Sequence, residues 1–392
     1  MPESLAIRVS HDITDIAPEQ WDACAFPAGA PRNPFLAHAF LHALEASGSA
    51  VPERGWQPAH VCLEDGTGSL LAVAPAYIKS HSMGEYVFDH SWADAFQRAG
   101  GDYYPKMLGA VPFIPATGPR LLTRATGAAG EKMRDDLLTG CIEVATRLGV
   151  SSLHFNFLTR PEWDRLGALG LLQRMDQQFH WHNDGYADFD AFLAELASKK
   201  RKNLKRERRE ALANGIEVEW VTGRDLTEAH WDAFYHFYLD TGSRKWGQPY
   251  LTREFFSLIG QHMADAILLI MCRRAGRYIA GALNLIGSEV LYGRNWGCIE
   301  DHRFLHFEAC YYQAIDFAIA HGLKRVEAGA QGAHKVARGY LPAATYSAHW
   351  IAHPGLRGAV ADYLTRERNW VAQDIATVAE HSPFRANGSE PD

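Results

Sequence analysis

The chain has 392 residues, 47% hydrophobic and 22% charged, with a formal net charge of −7. Those figures are ordinary for a globular protein and leave room for two domains of ~150 residues each. The acidic balance excludes nonspecific polyanion binding by the protein as a whole, but not by a local basic patch.

The opening MPESLAIRVSHD has no apolar core of a signal peptide. No later stretch approaches the ~18 uninterrupted apolar residues of a membrane helix. A soluble cytoplasmic protein is expected. The six cysteines (Cys24, Cys62, Cys141, Cys272, Cys298, Cys310) form no C-x-x-C pair. They read as reduced core residues, as in the apolar run 269–272, and not as a disulfide framework or zinc site.

Residues 59–80 read as strand, glycine turn, strand, followed by a third extended run, GEYVFDH (84–90). Around that run lies a cluster of Tyr86, Asp89, Trp92, Asp94, Tyr103, Tyr104 and Lys106, in which Asp89 and Asp94, flanked by aromatics, are candidates to bind a polar acceptor. Arg124-Ala-Thr-Gly127-Ala-Ala129 satisfies a loose phosphate-loop pattern just before a predicted helix over 131–149, which leads into a strand at 150–157. His180 and His182 share a strand face at a spacing metals use, but no third ligand is near, so a structural pair and no metal are expected.

Residues 186–215 divide into two helices. Asp188 is the expected N-cap of the first, which carries Phe189, Phe192, Leu193 and Leu196; Ser198 recaps the second and Gly215 ends it. Lys199, Lys200, Arg201, Lys202, Lys205, Arg206, Arg208 and Arg209 put eight cations within eleven residues, opposed inside that window by Glu207. A solvated basic face is one reading; mutual repulsion among so many cations is easier to understand if an anion normally neutralises them.

Residues 267–288 repeat the strand–turn–strand pattern, and 289–297 the third extended run. In that run strict alternation puts Tyr292, Arg294 and Trp296 on one face, Arg294 and Trp296 being candidates for the wall of a ligand groove. A helix over 307–322, with Gly322 as C-cap, and a strand at 323–330 close the second copy. The repeat of element order implies two similar α/β domains with mixed sheets, set at 1–182 and 183–354, with a C-terminal helix and tail at 355–392. That helix is expected on the second domain. After the last strand come Gln331, His334, Lys335, Arg338 and Tyr340, a concentration of polar and cationic groups read as the lip of a groove.

This order of elements resembles the GNAT acyltransferase fold in tandem. The segment FLAELASKKRKNLKRERREALANGIEVEW looks like the start of the second domain in the Fem-type branch of that superfamily. Members of the branch carry a Phe-Lys-x-x-Phe-Gly-like stretch after the last strand. Here His334-Lys335-Val336-Ala337-Arg338-Gly339-Tyr340 keeps Lys335 and Gly339 and replaces both aromatics. The chain as a whole, over residues ~5–375, is most similar to the FemAB-like group associated with peptidoglycan biosynthesis or recognition, without the helical arm of Fem-type enzymes.

The resemblance implies transfer of an aminoacyl or acyl group from an activated donor to an amine, with no bound cofactor. Such a reaction needs a deprotonated amine, aligned reactants and a stabilised oxyanion, but no covalent nucleophile. No G-x-S-x-G elbow is present. The turn CIEDHRFLHFEAC (298–310), where an acetyl-CoA enzyme carries its glycine-rich pyrophosphate loop, has no glycine and two acids before its helix. Aminoacyl-tRNA is therefore the first candidate donor and acyl-CoA, bound at 124–130, the second. Lys335 and Arg338 are candidates for donor phosphates and Glu327 or Glu308 for the amine proton, with Glu327 and Lys335 as the expected catalytic pair. Lys199, Lys200, Arg201, Lys202, Lys205 and Arg206 are the expected nucleic-acid contacts. A non-catalytic pair of domains that binds a cell-wall precursor or RNA is the third reading.

Overall fold

The computed structural model describes residues 5–245, 249–329 and 332–385. The chain forms two compact α/β units. Unit 1 takes residues 1–176, 250–255 and 345–371, and unit 2 takes 177–249, 256–344 and 372–392. The boundaries expected at 182 and 354 are thus replaced by a discontinuous division. Two of the changes of unit fall within the strands Leu172–His182 and Leu341–Ile351, so no loop marks those crossings.

In unit 2 the strands run in the order Ile216–Thr222, Ile267–Arg274, Arg277–Ile286, Val290–Cys298, Arg325–Glu327, then the end of Leu172–His182. Ala275 and Gly276, both at positive φ, make the two-residue turn that the Arg-Ala-Gly-Arg run signalled. Neighbours are antiparallel except Val290–Cys298 with Arg325–Glu327, which are parallel. The core on one face is built by Trp181, Phe192, Leu204, Tyr312, Ile315 and Val326. Asp188 does cap the first of the two central helices, its carboxylate accepting from Ala191 N at 2.7 Å, and the basic helix spans Ser198–Ala211. The expected helix over 307–322 is interrupted: Leu305–Phe307 is α-helical, Glu308–Tyr312 is a π-helical turn, and Gln313–Ala320 resumes the α-helix.

Unit 1 has a four-stranded sheet ordered Ala6–Ser10, His60–Glu64, Leu70–Ala74, Leu122–Thr123. Its second set of strands runs from Leu341–Ile351 through Ser152–Leu158, Lys106–Gly109 and Ala76–Lys79 to Trp56–Pro58. Again one neighbouring pair, Lys106–Gly109 with Ser152–Leu158, is parallel. The run 84–90 is not a strand. Gly84 and Tyr86 both have positive φ, which breaks the extended backbone, and Glu85 and Asp89 turn inward. The C-terminal helix Pro354–Glu380 buries Leu356, Val360 and Leu364 with Trp92, Tyr103 and Ile351 of unit 1, so most of it belongs there and not with the second domain.

Candidate functional site

The parallel pair of unit 2 lasts three residues: Val290 faces Arg325, Leu291 faces Val326 and Tyr292 faces Glu327. The shorter strand then ends, and its neighbour continues to Cys298 paired only with Arg277–Ile286 on its other side. At the point of divergence the antiparallel pairing with Arg277–Ile286 slips, from Asn284↔Gly293 to Leu283↔Asn295, so Arg294 is a bulge. Tyr292 lies opposite Leu285 and Trp296 opposite Ala282, three residues apart and hence on opposite faces. The expected single face of Tyr292, Arg294 and Trp296 is therefore broken by the extra residue.

The divergence leaves a cavity of ~100 Å³, lined among others by Asn284, Arg294, Trp296, His306, Tyr311 and Ala328. Gly293 borders it; a Cβ there would lie 3.3 Å from the Glu327 carbonyl oxygen. The π-turn carries Cys310 and Tyr311 to its wall. Of these, Arg294 and Trp296 were legible from sequence. Cys310 and Tyr311 were not, because an uninterrupted helix would have aimed them differently, and His306 lies before the expected helix start at 307.

Lys335 is buried in a 3-10 turn, Ala333–Arg338, where its Nζ donates to the carbonyls of Ala328 and Gly329, the latter at 3.0 Å. Burial lowers this ammonium to about 8. Lys335 thus draws the chain beyond Glu327 together, just where the cavity has Ala328 as a wall. Arg338 is fully engaged: Nε donates to Tyr312 Oη at 3.1 Å, Nη1 to the His334 carbonyl at 2.7 Å and Nη2 to Glu207 Oε2 at 2.8 Å, with Phe307 stacked 3.5 Å below. Every arm of the guanidinium is occupied, with no fork left for a phosphate. His334 is exposed and meets Tyr311 Oη at 3.1 Å. Tyr340 is a core residue, fully buried, donating to the Tyr311 carbonyl at 3.2 Å. Gln331 lies outside the described residues.

Glu327 points to the sheet face opposite Val326. Its Oε1 accepts from Arg325 Nε at 3.1 Å and Nη2 at 2.7 Å. Its Oε2, buried and without a hydrogen-bond partner, lies 4.0 Å from His180 Nε2, which is unpartnered as well. Burial raises the Glu327 carboxyl against the pull of Arg325, and burial brings His180 down to about 3, so the imidazole is neutral. His180, one of the two imidazoles at that spacing, faces a carboxylate 147 residues away, a partner that spacing alone cannot disclose.

Glu308 is not near Glu327's role. Fully buried, it accepts from Arg208 Nη2 at 2.8 Å and Nε at 3.1 Å and from Gln313 at 2.7 Å. Arg208 also meets Asp316 at 2.6 Å. The basic helix is therefore of two halves. In its C-terminal half Lys205 pairs with Asp190 at 2.8 Å, Arg206 with Glu210 at 3.8 Å and Arg208 as above, while Arg209 is exposed. Its first turn carries Lys199, Lys200, Arg201 and Lys202, with no ion pair among the described residues. Four cations at a helix N-terminus add to the positive end of its dipole, an arrangement that favours an anion nearby.

In unit 1 the expected acceptor cluster is assembled but largely internal. Lys106, Asp89 and Trp92 are buried; Tyr86 is 40% exposed; Asp94 is exposed on the outer side of the helix His90–Arg98 and joins none of these contacts. Lys106 Nζ donates to Ser82 Oγ at 2.7 Å, Glu85 Oε2 at 2.8 Å and Asp89. The turn at 124–130 does open a helix, Gly127–Arg147, with Thr126 as an extended cap residue.

Two α/β units, each with a strand–turn–strand and a short parallel pair, define the class of fold, a tandem of mixed-sheet α/β units. The chain belongs to the FemAB-like family of peptidoglycan biosynthesis/recognition, whose model matches residues 12–386. Among solved structures, FemX superposes with a TM-score of 0.56 at 13% identity, over 90% of this chain and 100% of that one. The C-terminal domain of a putative lysylphosphatidylglycerol synthetase from Agrobacterium fabrum gives 0.52 at 10% identity, over 89% and 95%. L-PGS from Bacillus licheniformis gives 0.51 at 8% identity, over 91% and 99%. At such identities the likeness is one of fold. No curated protein matches the sequence.

Proposed function

We propose that the protein is a Fem-type N-acyltransferase that moves an aminoacyl or acyl group from an activated, phosphate-bearing donor to an amine, and that unit 2 carries the reaction. The observation that carries this reading is the cavity at the end of the parallel pair, with Lys335 holding the carbonyls of its wall and Glu327 on the strand end beside it. Lys335 is buried without a carboxylate, so a developing negative charge in the cavity would be its natural counter-ion. Glu327, on the strand end beside the cavity but outside its lining, has a carboxyl raised by burial and one oxygen unpartnered, and is assigned the amine proton by way of a bridging water. The unpaired first turn of the basic helix supports a polyanionic donor, tRNA before acyl-CoA. The acceptor, in the family's terms, is a peptidoglycan precursor.

The helix start at Gly127 supports a second reading, in which acyl-CoA binds unit 1: Gly130 is required there, since a Cβ would fall 2.4 Å from the Ala125 carbonyl oxygen. A thermal-shift comparison of wild type, Lys335→Met and Glu327→Gln with deacylated tRNA, a UDP-linked cell-wall precursor and acetyl-CoA separates the two. The first reading expects stabilisation by tRNA or the precursor that Lys335→Met weakens. With the donor so identified, Glu327→Gln is expected to slow single-turnover transfer ~10²–10⁴-fold while keeping donor binding. Stabilisation by acetyl-CoA alone, unchanged in both variants, would overturn the assignment to unit 2.

A further inference from the structure

Phe304, Phe307 and Tyr311 stand three and four residues apart, the spacing of one helical stripe, and such a stripe ordinarily faces a core. Here only its last member does. Tyr311 is buried at the wall of the cavity, whereas Phe307 and Phe304 are half-buried and His334, beside them, is exposed. The rings are nearly parallel. Phe307 lies 6.0 Å from Tyr311 at 24°, 6.1 Å from Phe304 at 26° and 5.5 Å from His334 at 32°. A ladder of flat rings thus runs from the cavity wall to the surface of unit 2.

The ladder is held in place at some cost. Phe304 has a φ of 65° and a ψ of 0°, the left-handed region that a bulky residue enters only where neighbouring contacts impose it, as at ligand clamps. Arg303 covers its ring at 4.6 Å and pairs with Glu210 at 3.1 Å; Arg338 covers Phe307 at 3.5 Å and pairs with Glu207 at 2.8 Å. Both cations are therefore anchored on one face of the basic helix Ser198–Ala211. His334 is tied through Nε2 to Tyr311 Oη at 3.1 Å. Burial and the charges of Arg338 and Lys335 hold its imidazole below the ordinary value, so the ring is neutral at pH 7. The acids of the preceding turn do not bar an anion as the sequence suggested. Glu300 is held by Arg274 at 2.9 Å, Arg277 at 2.7 Å and His302 at 3.0 Å, which leaves Asp301 without an ion pair among the described residues.

We propose that Phe304, Phe307 and His334 form a base-stacking platform that takes the adenine of the donor and so sets its activated end at the cavity wall. Flat neutral rings rimmed by cations fit a nucleotide, because every base offers a π-face and every nucleotide a phosphate. Arg303 is exposed and can turn from the Phe304 ring to that phosphate. The assignment rests on the reading of unit 2 as the donor-binding unit. Aminoacyl-tRNA and acyl-CoA both carry an adenine, so the platform serves either, and the two sources are separated by experiment.

Isothermal titration of the full chain with AMP, UMP and ribose 5-phosphate, then with a CCA trinucleotide and desulfo-CoA, tests it. AMP is expected to bind more tightly than UMP, and ribose 5-phosphate ~5–150-fold more weakly than AMP, the share that stacking one base supplies. His334→Ala should weaken AMP by a similar factor and leave ribose 5-phosphate unchanged, while His334→Phe, which keeps a flat ring, should hold the wild-type affinity. Phe304→Gly, which relieves the backbone, should fold and lose AMP as well. Tighter binding of the trinucleotide than of desulfo-CoA, lost in His334→Ala, assigns the adenine to tRNA; the reverse order assigns it to acyl-CoA. Equal binding of AMP and ribose 5-phosphate by wild type, or no binding of either, overturns the platform even where a variant fails to fold. So does AMP affinity unchanged in His334→Ala and Phe304→Gly. A preference for UMP overturns the assignment to the donor. No transfer is measured, so a failed platform leaves the roles of Lys335 and Glu327 to the transfer assay, and a failed transfer assay leaves the platform to these titrations.

Discussion

Lys335 carries its charge where only main-chain carbonyls receive it, and that makes its protonation visible in stability. An ordinary lysine in an unfolded chain titrates near 10.5; burial lowers this one to about 8. Below pH 8 both states hold the proton and the group contributes no pH dependence. Between 8 and 10.5 the unfolded chain binds more protons than the fold, so stability contributed by this residue rises with pH. Lys335→Met should cost ~1–3 kcal/mol at pH 7.5, because the carbonyls of Ala328 and Gly329 lose their donor. The deficit relative to wild type should grow by pH 9.5, read from urea unfolding at the two pH values. An unchanged deficit would mean that the ammonium is solvated and has an ordinary affinity for its proton. The sequence singled out Lys335 through the family stretch, but its burial was not legible, since both carbonyls it holds belong to a strand end that precedes it. Arg338 shows the same limit from the other side. A cation in a loop reads as available, and only folding brings Glu207, Tyr312 and Phe307 around it.

Elements were legible where their signals are local and lost where a distant partner sets the geometry. The Asp188 cap, the basic helix and the turn at Ala275–Gly276 follow from short-range chemistry. The π-turn does not: nothing in Glu308–Tyr312 departs from helical spacing, yet Glu308 is drawn toward Arg208, 100 residues earlier. The basic helix is accordingly two devices in one element. Arg208 neutralises a fully buried Glu308 and the nearby Asp316. Arg208→Ala should destabilise by ~3–5 kcal/mol in urea unfolding, as expected for a buried carboxylate stripped of its partner. Reversing Lys199, Lys200, Arg201 and Lys202 to glutamate should leave the unfolding midpoint unchanged or nearly so. If the donor is tRNA, the same reversal should weaken binding and flatten its dependence on salt in proportion to the phosphates no longer neutralised. A reversal that unfolds the protein, or leaves the salt slope intact, would remove this turn from the donor site.

At the scale of the molecule the two units share a short parallel pair, but not the third extended run that the sequence repeat implied, since 84–90 is not a strand. Each unit has one parallel pair that lasts three residues, Met107–Gly109 on Leu153–Phe155 in unit 1 and Val290–Tyr292 on Arg325–Glu327 in unit 2. Each also sets a glycine at the end of that pair. In unit 1 the space beyond Gly109 is taken by a side chain: a Cβ there would fall 2.4 Å from the Phe155 ring. In unit 2 Gly293 borders the cavity, and its nearest neighbour would be the Glu327 carbonyl oxygen at 3.3 Å. Pattern alone could not separate the two, because both glycines read as strand residues and Phe155 reads as ordinary core. The same substitution at each site should therefore have opposite signatures. Gly109→Ala must displace a packed ring and should cost ~1–3 kcal/mol of stability. Gly293→Ala asks a carbonyl to yield a few tenths of an ångström and should cost less than ~1 kcal/mol, yet it narrows the cavity and should lower acyl transfer or donor affinity at unchanged fold. Unfolding curves and donor titrations on the two variants decide it. A Gly293→Ala protein with full activity, beside a Gly109→Ala protein that stays folded and loses it, would move the reaction from unit 2 to unit 1.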